Sequence, residues 1–218
     1  MFDTKDFKAA FANDVSHLPY DMISNNRLLL KDKTYDIEIP EALKAEKGLK
    51  LMHIGDTVSA DYPWYKELIE KVKPDIIVHT GDTADEVKVG RKPEVTEEYL
   101  DRVSALMDIL KASGSKVYWI TGNNDLPKEI ARIAPFAEII QPDTRLRIEG
   151  VNICVAHSKN QFTQNADIYL YGHSNRFEVW SDAMNTPESD VWYLNALWNA
   201  YVCVLPQREL YRLGRPDC

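Results

Sequence analysis

The chain has 218 residues, of which 44% are hydrophobic, enough to bury the core of one large domain or of one domain with an extension. Its formal net charge of -8 and its lack of a long basic cluster argue against a dedicated nucleic-acid or anionic-membrane binder, because both need a basic surface. Three scattered cysteines, without a CxxC motif or a signal peptide, predict a cytoplasmic location. No apolar run approaches a membrane span of about 18 residues.

The first 48 residues are predicted to form an N-terminal extension that packs on a domain of residues 49–218. The spacing of apolar residues predicts a helix over residues 3–15. Two short strands are predicted at residues 27–30 and 35–39, on either side of a polar turn. The Phe residues and Leu/Ile clusters of this stretch argue against a disordered leader, which would lack them.

From residue 49 onwards, strands and helices alternate. Residues 49–54 and 76–79 are predicted to be strands, and a helix over residues 62–72 connects them. The second strand is a continuous apolar run, which is typical of a strand buried on both faces in the middle of a sheet. A helix over residues 95–112 then leads to a strand at residues 116–120. This order predicts parallel strand-helix-strand units.

After Pro135 the pattern changes to a series of short strands that are separated by turns, so the second half is predicted to be a β-layer. The predicted strands are residues 137–140, 145–148, 151–156, 168–171, 177–180, 191–194, 201–205 and 209–213. Parallel units followed by a strand-rich half predict an α/β fold in which two mixed β-sheets face each other and helices flank them.

Polar side chains follow the ends of five predicted strands. Asp56, Asp82 and Asn123 each come after a glycine at a strand end, where open α/β sheets collect their functional groups. A single pair of this kind is ordinary turn chemistry, but two Gly-Asp pairs and one Gly-Asn pair at successive strand ends are hard to explain in that way. His157 and His173 follow two later strands. Carboxylate, amide and imidazole ligands without a thiolate suit Mn, Fe, Zn or Mg, so the sequence predicts a metal site.

Three further polar residues near these strand ends are not predicted to be metal ligands. His53 and His79 lie inside predicted strands, so both are expected to be core histidines. For His79, a role behind the metal ligands is the alternative. Asp85 is expected to hydrogen-bond the turn at Asp82 rather than to contact a metal.

Five segments together resemble the ordered motifs of the calcineurin-like metallophosphoesterases, over about residues 49–213. They are Gly55-Asp56-x-Val58, Gly81-Asp82-x-x-Asp85, Gly122-Asn123-Asn124-Asp125, the strand that ends in His157, and Gly172-His173-Ser174-Asn175. The resemblance implies a fold of two facing sheets and a metal-dependent phosphoesterase activity. It also implies that Asp82 bridges two metal ions and that Asn123, His157 and His173 complete the shell of the second ion. The last motif is similar to that of the small phosphodiesterase branch of the family.

The sequence departs from the family pattern at three positions. Val58 and Asn175 stand where the family has histidine ligands of the first metal, which leaves Asp56, Asp82 and the Asn175 carboxamide as its predicted ligands. Asn124 replaces the histidine that the family pattern gives as proton donor. An amide cannot act as a general acid, although it can hydrogen-bond a phosphate oxygen, so Asn124 is predicted to orient the phosphate.

Two functions therefore remain open. The first is a phosphoesterase that hydrolyses a phosphodiester or phosphomonoester with one strong metal site, for Mn, Fe or Zn, and a doubtful second site. The alternative is a catalytically degenerate member of the fold that serves as a binding scaffold. Retention of the second metal's ligand set favours the enzyme. The expected partner is a small phosphorylated substrate, with no nucleic acid and no membrane, and the oligomeric state is left open.

Overall fold

The structure is a computed structural model that describes residue 35, residues 37–173 and residues 191–215. Its strands are β1 (Leu49–Ile54), β2 (Ile76–His79), β3 (Lys116–Trp119), β4 (Ala137–Ile139), β5 (Thr144–Ile148), β6 (Val151–Val155), β7 (Ile168–Tyr171), β8 (Trp192–Asn195), β9 (Asn199–Leu205) and β10 (Glu209–Gly214). Its helices are α1 (Glu41–Ala45), α2 (Tyr62–Val72), α3 (Thr96–Ser113) and α4 (Pro127–Ile133).

The strands form two mixed sheets. A six-stranded sheet has the order β10-β9-β1-β2-β3-β4, in which β1 to β4 are parallel and β9 and β10 are antiparallel. A four-stranded sheet has the order β5-β6-β7-β8, with parallel pairing from β6 to β8. Apolar residues from both sheets share one buried cluster, so the sheets pack face to face. The predicted fold class is thereby confirmed.

Strand β2 explains why a continuous apolar run is needed in the middle of the large sheet. Ile76 and Val78 belong to the core between the two sheets, where they join residues such as Leu170. Ile77 lies on the opposite face and belongs to a second core with Leu68 of α2. All four described helices contribute to this second core, so they cover the outer face of the six-stranded sheet. Burial on both faces removes the polar alternation of a half-exposed strand.

The two long helices have ends and faces that their sequences explain. Helix α2 begins with Pro63 in its first turn and ends at Lys73 in a left-handed conformation. Helix α3 ends at Gly114, whose φ of 71° is easily adopted by glycine. Each helix buries one apolar stripe against the sheet, as Leu68 and Leu106 illustrate. The predicted bounds of both helices agree with the structure to within a residue.

The segment before β1 differs from its prediction. The described part of the predicted strand at residues 35–39 is not a strand; instead, the backbone N–H groups of Tyr35 and Ile37 donate to the Glu67 carboxylate at 2.9 and 3.4 Å. A side chain of α2 thus satisfies donors that a neighbouring strand would have used. The short helix α1 was not predicted. The predicted helix at 3–15 and the strands at 27–30 and 177–180 lie outside the described residues.

The strand-rich second half does not form a separate layer, so that prediction is wrong for three strands. Strands β4, β9 and β10 join the six-stranded sheet, where β9 pairs with β1 over Leu49–His53. Local patterns identify a strand but not its partner, and these pairings join residues that are far apart in sequence. The division into an extension of residues 1–48 and a domain of residues 49–218 stays a prediction.

Candidate metal centre

The predicted ligands from five strand ends meet at one edge of the two sheets. Asp56, Asp82 and Asn123 follow β1, β2 and β3 of the six-stranded sheet, while His157 and His173 follow β6 and β7 of the four-stranded sheet. Backbone hydrogen bonds continue the pairing beyond the strands, from Asp56 N–H to the Gly81 carbonyl at 2.8 Å and from Gly172 N–H to the His157 carbonyl at 2.9 Å. The structure therefore brings these five residues together.

Tight turns place the side chains at this edge. Asp56, Asp82 and His173 all adopt left-handed backbone conformations, with φ of 46°, 54° and 64°. Such conformations cost non-glycine residues about 1 kcal/mol or more and persist where the surrounding structure holds them. The glycine before Asn123 has a different role, because a Cβ on Gly122 would lie 2.1 Å from Asp82 Oδ1. Glycine is needed there so that the two turns can touch.

On one side of Asp82, nitrogen and oxygen ligands converge on His157. Its Nδ1 must donate, because its partner at 2.8 Å is the Thr80 carbonyl oxygen. In the neutral ring Nε2 then carries the lone pair. This Nε2 lies 3.0 Å from His173 Nδ1, 3.1 Å from Asn123 Oδ1 and 3.6 Å from Asp82 Oδ1. The Nε2 lone pair and the Asn123 oxygen are both acceptors, so no hydrogen bond can join them. Both can instead bind the same cation, so these residues fit a metal ion.

On the other side of Asp82, the possible ligands are carboxylates. Oxygens of Asp56, Asp82 and Asp85 lie within 4.8 Å of one another. Asp85 is therefore a candidate metal ligand, a role that the sequence did not predict for it. Burial raises the pKa of Asp56 well above its usual range, and repulsion by Asp82 and Asp85 adds to this. Burial also raises the pKa of Asp82. Val58 adds only an apolar side chain, and Asn175 lies outside the described residues.

Asn124 is buried and faces the carboxylates. Its backbone N–H donates to Asp82 Oδ1 at 2.8 Å, and its side-chain Nδ2 donates to Asp82 Oδ2 at 3.0 Å and to Asp85 Oδ1 at 2.8 Å. Both amide hydrogens thus serve to position the carboxylates. Its Oδ1 is buried and has no hydrogen-bond partner among the described residues. The predicted contact between Asn124 and a phosphate stays a prediction.

Asp125 supports the site and was not recognised from the sequence. Its Oδ2 accepts the N–H groups of Asp82 and Gly122 at 2.8 and 2.7 Å, and its Oδ1 accepts the Thr83 N–H and the Tyr99 hydroxyl at 2.8 Å. Burial raises the pKa of Asp125 to about 6, although these donors favour the charged form. The signal in the sequence is its place as the last residue of the Gly122-Asn-Asn-Asp turn.

Arg215 is a second supporting residue that sequence reasoning missed. Its Nη2 donates to the Asp56 carbonyl at 2.8 Å, and its Nε donates to Asp61 Oδ2 at 3.2 Å. The side chain is buried, so the turn that carries Asp56 is fixed by a charged group from just beyond β10. No local motif marks Arg215, because its partners are brought to it only by the fold.

Two histidines lie behind the site and are fully buried, as predicted for core residues. His79 Nδ1 accepts the Gly81 N–H at 3.0 Å and its Nε2 lies 3.2 Å from Thr57 Oγ1, which gives it the supporting role that was the alternative. His53 Nε2 lies 3.1 Å from Thr80 Oγ1. Burial lowers the pKa of each histidine to about 3, so both rings are neutral near pH 7.

Replacement of Asp125 by Asn is expected to destabilise the protein. The amide has one oxygen, so its NH₂ group would face backbone N–H donors that the carboxylate now satisfies. We expect the free energy of unfolding to fall by about 1–3 kcal/mol. Urea denaturation followed by circular dichroism measures this change. The exposed Asp108→Asn is the matched control and should change stability by less than about 0.5 kcal/mol. Equal stability of the two variants would contradict the bracing role of Asp125.

The buried histidines should make stability depend on pH. The pKa of His53 is about 3 in the folded protein, against an ordinary value of 6.5. Below pH 6.5 the unfolded chain therefore binds a proton that the folded chain does not. This contribution to stability is complete above pH 6.5 and is lost as the pH falls toward 3, with a slope of up to about 1.4 kcal/mol per pH unit.

The measurement compares urea denaturation of the wild type and of His53→Gln from pH 7 to pH 4.5. The difference in unfolding free energy between the two proteins isolates His53 from the other titrating groups. We expect the wild type to lose stability more steeply with acidification than the variant does. Parallel pH profiles for the two proteins would show that His53 does not titrate in this way.

A family model described as calcineurin-like phosphoesterase matches residues 49–205. No curated protein matches the chain. A similar solved structure is the crystal structure of the protein of unknown function AQ665 from Aquifex aeolicus; it is 17% identical, with a TM-score of 0.43, and the match covers 68% of this chain and 90% of that one. No helix in the described part is long and apolar enough to cross a membrane. Because the family model spans more than half of the sequence, the chain belongs to the calcineurin-like phosphoesterase family.

Proposed function

We propose that this protein is a metal-dependent phosphoesterase that hydrolyses a phosphodiester or phosphomonoester bond in a small substrate. The observation that carries the proposal is the convergence of His173 Nδ1 and Asn123 Oδ1 on Nε2 of His157, beside Asp82. A donor set of imidazole, amide and carboxylate suits Mn, Fe or Zn. The family to which the chain belongs supports the same class of reaction.

Asp82, Asn123, His157 and His173 would hold the ion. When bound, the ion polarises the phosphoryl group and lowers the pKa of a water molecule. The protein keeps the ligands in place beforehand: the Thr80 carbonyl fixes the His157 ring, and Asn124 fixes both oxygens of Asp82. Ligands that are already oriented need no reorganisation during the reaction.

The exposure of the ligands gives the direction from which a substrate approaches. The side chains of Asp82 and His157 are buried, whereas the His173 side chain is 44% exposed and Asn123 is also exposed. A phosphate ester would therefore enter on the side of His173 and Asn123. Asp82 and His157 would form the floor beneath its phosphoryl group.

A binding scaffold is the second candidate, and the carboxylate side of the site favours it. Val58 provides no ligand there, and both amide hydrogens of Asn124 are engaged by Asp82 and Asp85. A protein selected only as a scaffold would still have no evident need for the ligands around His157. The enzyme is therefore the preferred candidate.

The activity is tested with bis-p-nitrophenyl phosphate and purified protein. We expect turnover with Mn²⁺ and loss of turnover in Asp82→Asn, because that variant removes a carboxylate ligand while retaining one acceptor oxygen for Asn124. The exposed Asp108→Asn serves as the control and should retain wild-type turnover. Absence of turnover with each of Mn²⁺, Fe²⁺, Zn²⁺, Ni²⁺ and Mg²⁺ would overturn the proposed phosphoesterase function. Zero bound metal, with thermal stability unchanged by chelator, would support the scaffold.

The replacement of the family's proton donor by Asn124 predicts a preference for acidic leaving groups. An amide cannot protonate a departing oxygen, a step for which a general acid contributes about 10²–10⁴-fold in rate. Values of kcat/KM should therefore fall steeply along a series of aryl phosphodiesters as the pKa of the leaving phenol rises. A flat dependence would show that another group donates this proton.

A further inference from the structure

Lys88 lies at the carboxylate side of the candidate metal centre. It follows the short 3₁₀ turn Asp85–Val87 and adopts a left-handed conformation with φ of 55°. Its Nζ lies 2.5 Å from Asp85 Oδ2, and the Asp85 side chain is only 17% exposed. The other oxygen of Asp85 accepts from Asn124. The Asp85 carboxylate thus connects Lys88 to the neighbouring carboxylates of Asp56 and Asp82.

The backbone around Lys88 is held against the ligand turn of β3. The next residue, Val89, is buried and belongs to the core beneath the six-stranded sheet. At Gly90, an added Cβ would lie 2.1 Å from the carbonyl oxygen of Asn123, so the two backbones are in close contact. The backbone at Lys88 is therefore positioned by the packing of the two residues that follow it rather than lying in an open surface loop.

The ammonium group also meets an electrostatic need. Oxygens of Asp56, Asp82 and Asp85 lie within 4.8 Å of one another, and buried like charges repel strongly. Within residues 37–173 and 191–215, Lys88 is the one lysine or arginine that forms an ion pair with any of these three carboxylates.

We propose that the ammonium group of Lys88 replaces a second metal ion as the positive charge on the Asp56 side of Asp82. The centre then binds a single divalent ion, and Lys88 contacts the substrate phosphate. The inference rests on the proposed phosphoesterase function. The chain has Val58 where the family pattern has a histidine ligand, so this side has lost an ion ligand and carries a lysine beside its carboxylates. A lysine has three N–H donors and uses one on Asp85, which leaves two for phosphate oxygens.

An ordinary surface ion pair would behave differently. Asp85 and Lys88 are three residues apart, and exposed pairs of this kind contribute little to stability or function. Removing such a pair would not change how many metal ions the protein binds. The number of bound ions therefore separates the two explanations without any assay of activity.

The test is a titration of chelator-treated protein with Mn²⁺, with elemental analysis after equilibrium dialysis. The wild type should bind one equivalent. Lys88→Met removes the ammonium group from the three carboxylates, so this variant should bind a second equivalent. The dissociation constant of the second ion should be lower than in the wild type by about tenfold or more. Lys92→Met removes the same charge from an exposed position of the same segment and should bind one equivalent. Lys88→Arg keeps the charge and should also bind one.

The kinetic readout uses bis-p-nitrophenyl phosphate at one bound ion per chain. We expect KM to rise about tenfold in Lys88→Met and to stay at the wild-type value in Lys92→Met. Two equivalents in the wild type, or the same stoichiometry and KM in Lys88→Met and Lys92→Met, would overturn the role of Lys88. If the wild type binds one ion and Lys88→Met binds two, but neither hydrolyses any ester, the proposed function fails while the charge replacement by Lys88 stands.

Discussion

The structure at the sheet edge depends on one constraint, the burial of carboxylates that repel each other. Asp56 and Asp82 are buried and Asp85 is half-buried beside them, so water screens these carboxylates poorly and each is met by a donor or a cation. Asp56 accepts the His173 N–H at 3.0 Å, Asp82 and Asp85 accept from Asn124, and Lys88 pairs with Asp85. The turns after the strands are thus arranged to supply positive or N–H groups to these oxygens.

The two sheets contribute different residues to the site. The six-stranded sheet supplies the buried carboxylates, and the four-stranded sheet supplies the histidines that lie over them. Asp82 is where the two sets meet, because its oxygens lie 3.6 Å from His157 Nε2 and 4.0 Å from His173 Nδ1. The resulting centre is asymmetric. Nitrogen and amide-oxygen ligands lie on one side, where a metal ion fits, and acidic groups with a lysine lie on the other.

Local sequence signals predicted local structure well and long-range structure poorly. The bounds of β1, β2 and α2 could be predicted because apolar runs there are delimited by proline, glycine or charged residues. The pairing of β9 with β1 could not, since it joins segments from opposite ends of the domain. The same holds at the site. Ordered motifs indicated the five residues that converge, whereas Asp125 and Arg215 act through contacts that only the folded chain creates.

The contact between Arg215 and the Asp56 carbonyl spans 159 residues of sequence, and that between His173 and Asp56 spans 117. Closing loops of this length costs conformational entropy, and both contacts need the strands that carry their partners to be in place. The full ligand set therefore does not exist in a partly folded chain. A metal ion cannot serve as the nucleus around which this domain folds, as it does in small zinc modules. The ion proposed for this centre would instead bind after both sheets are complete.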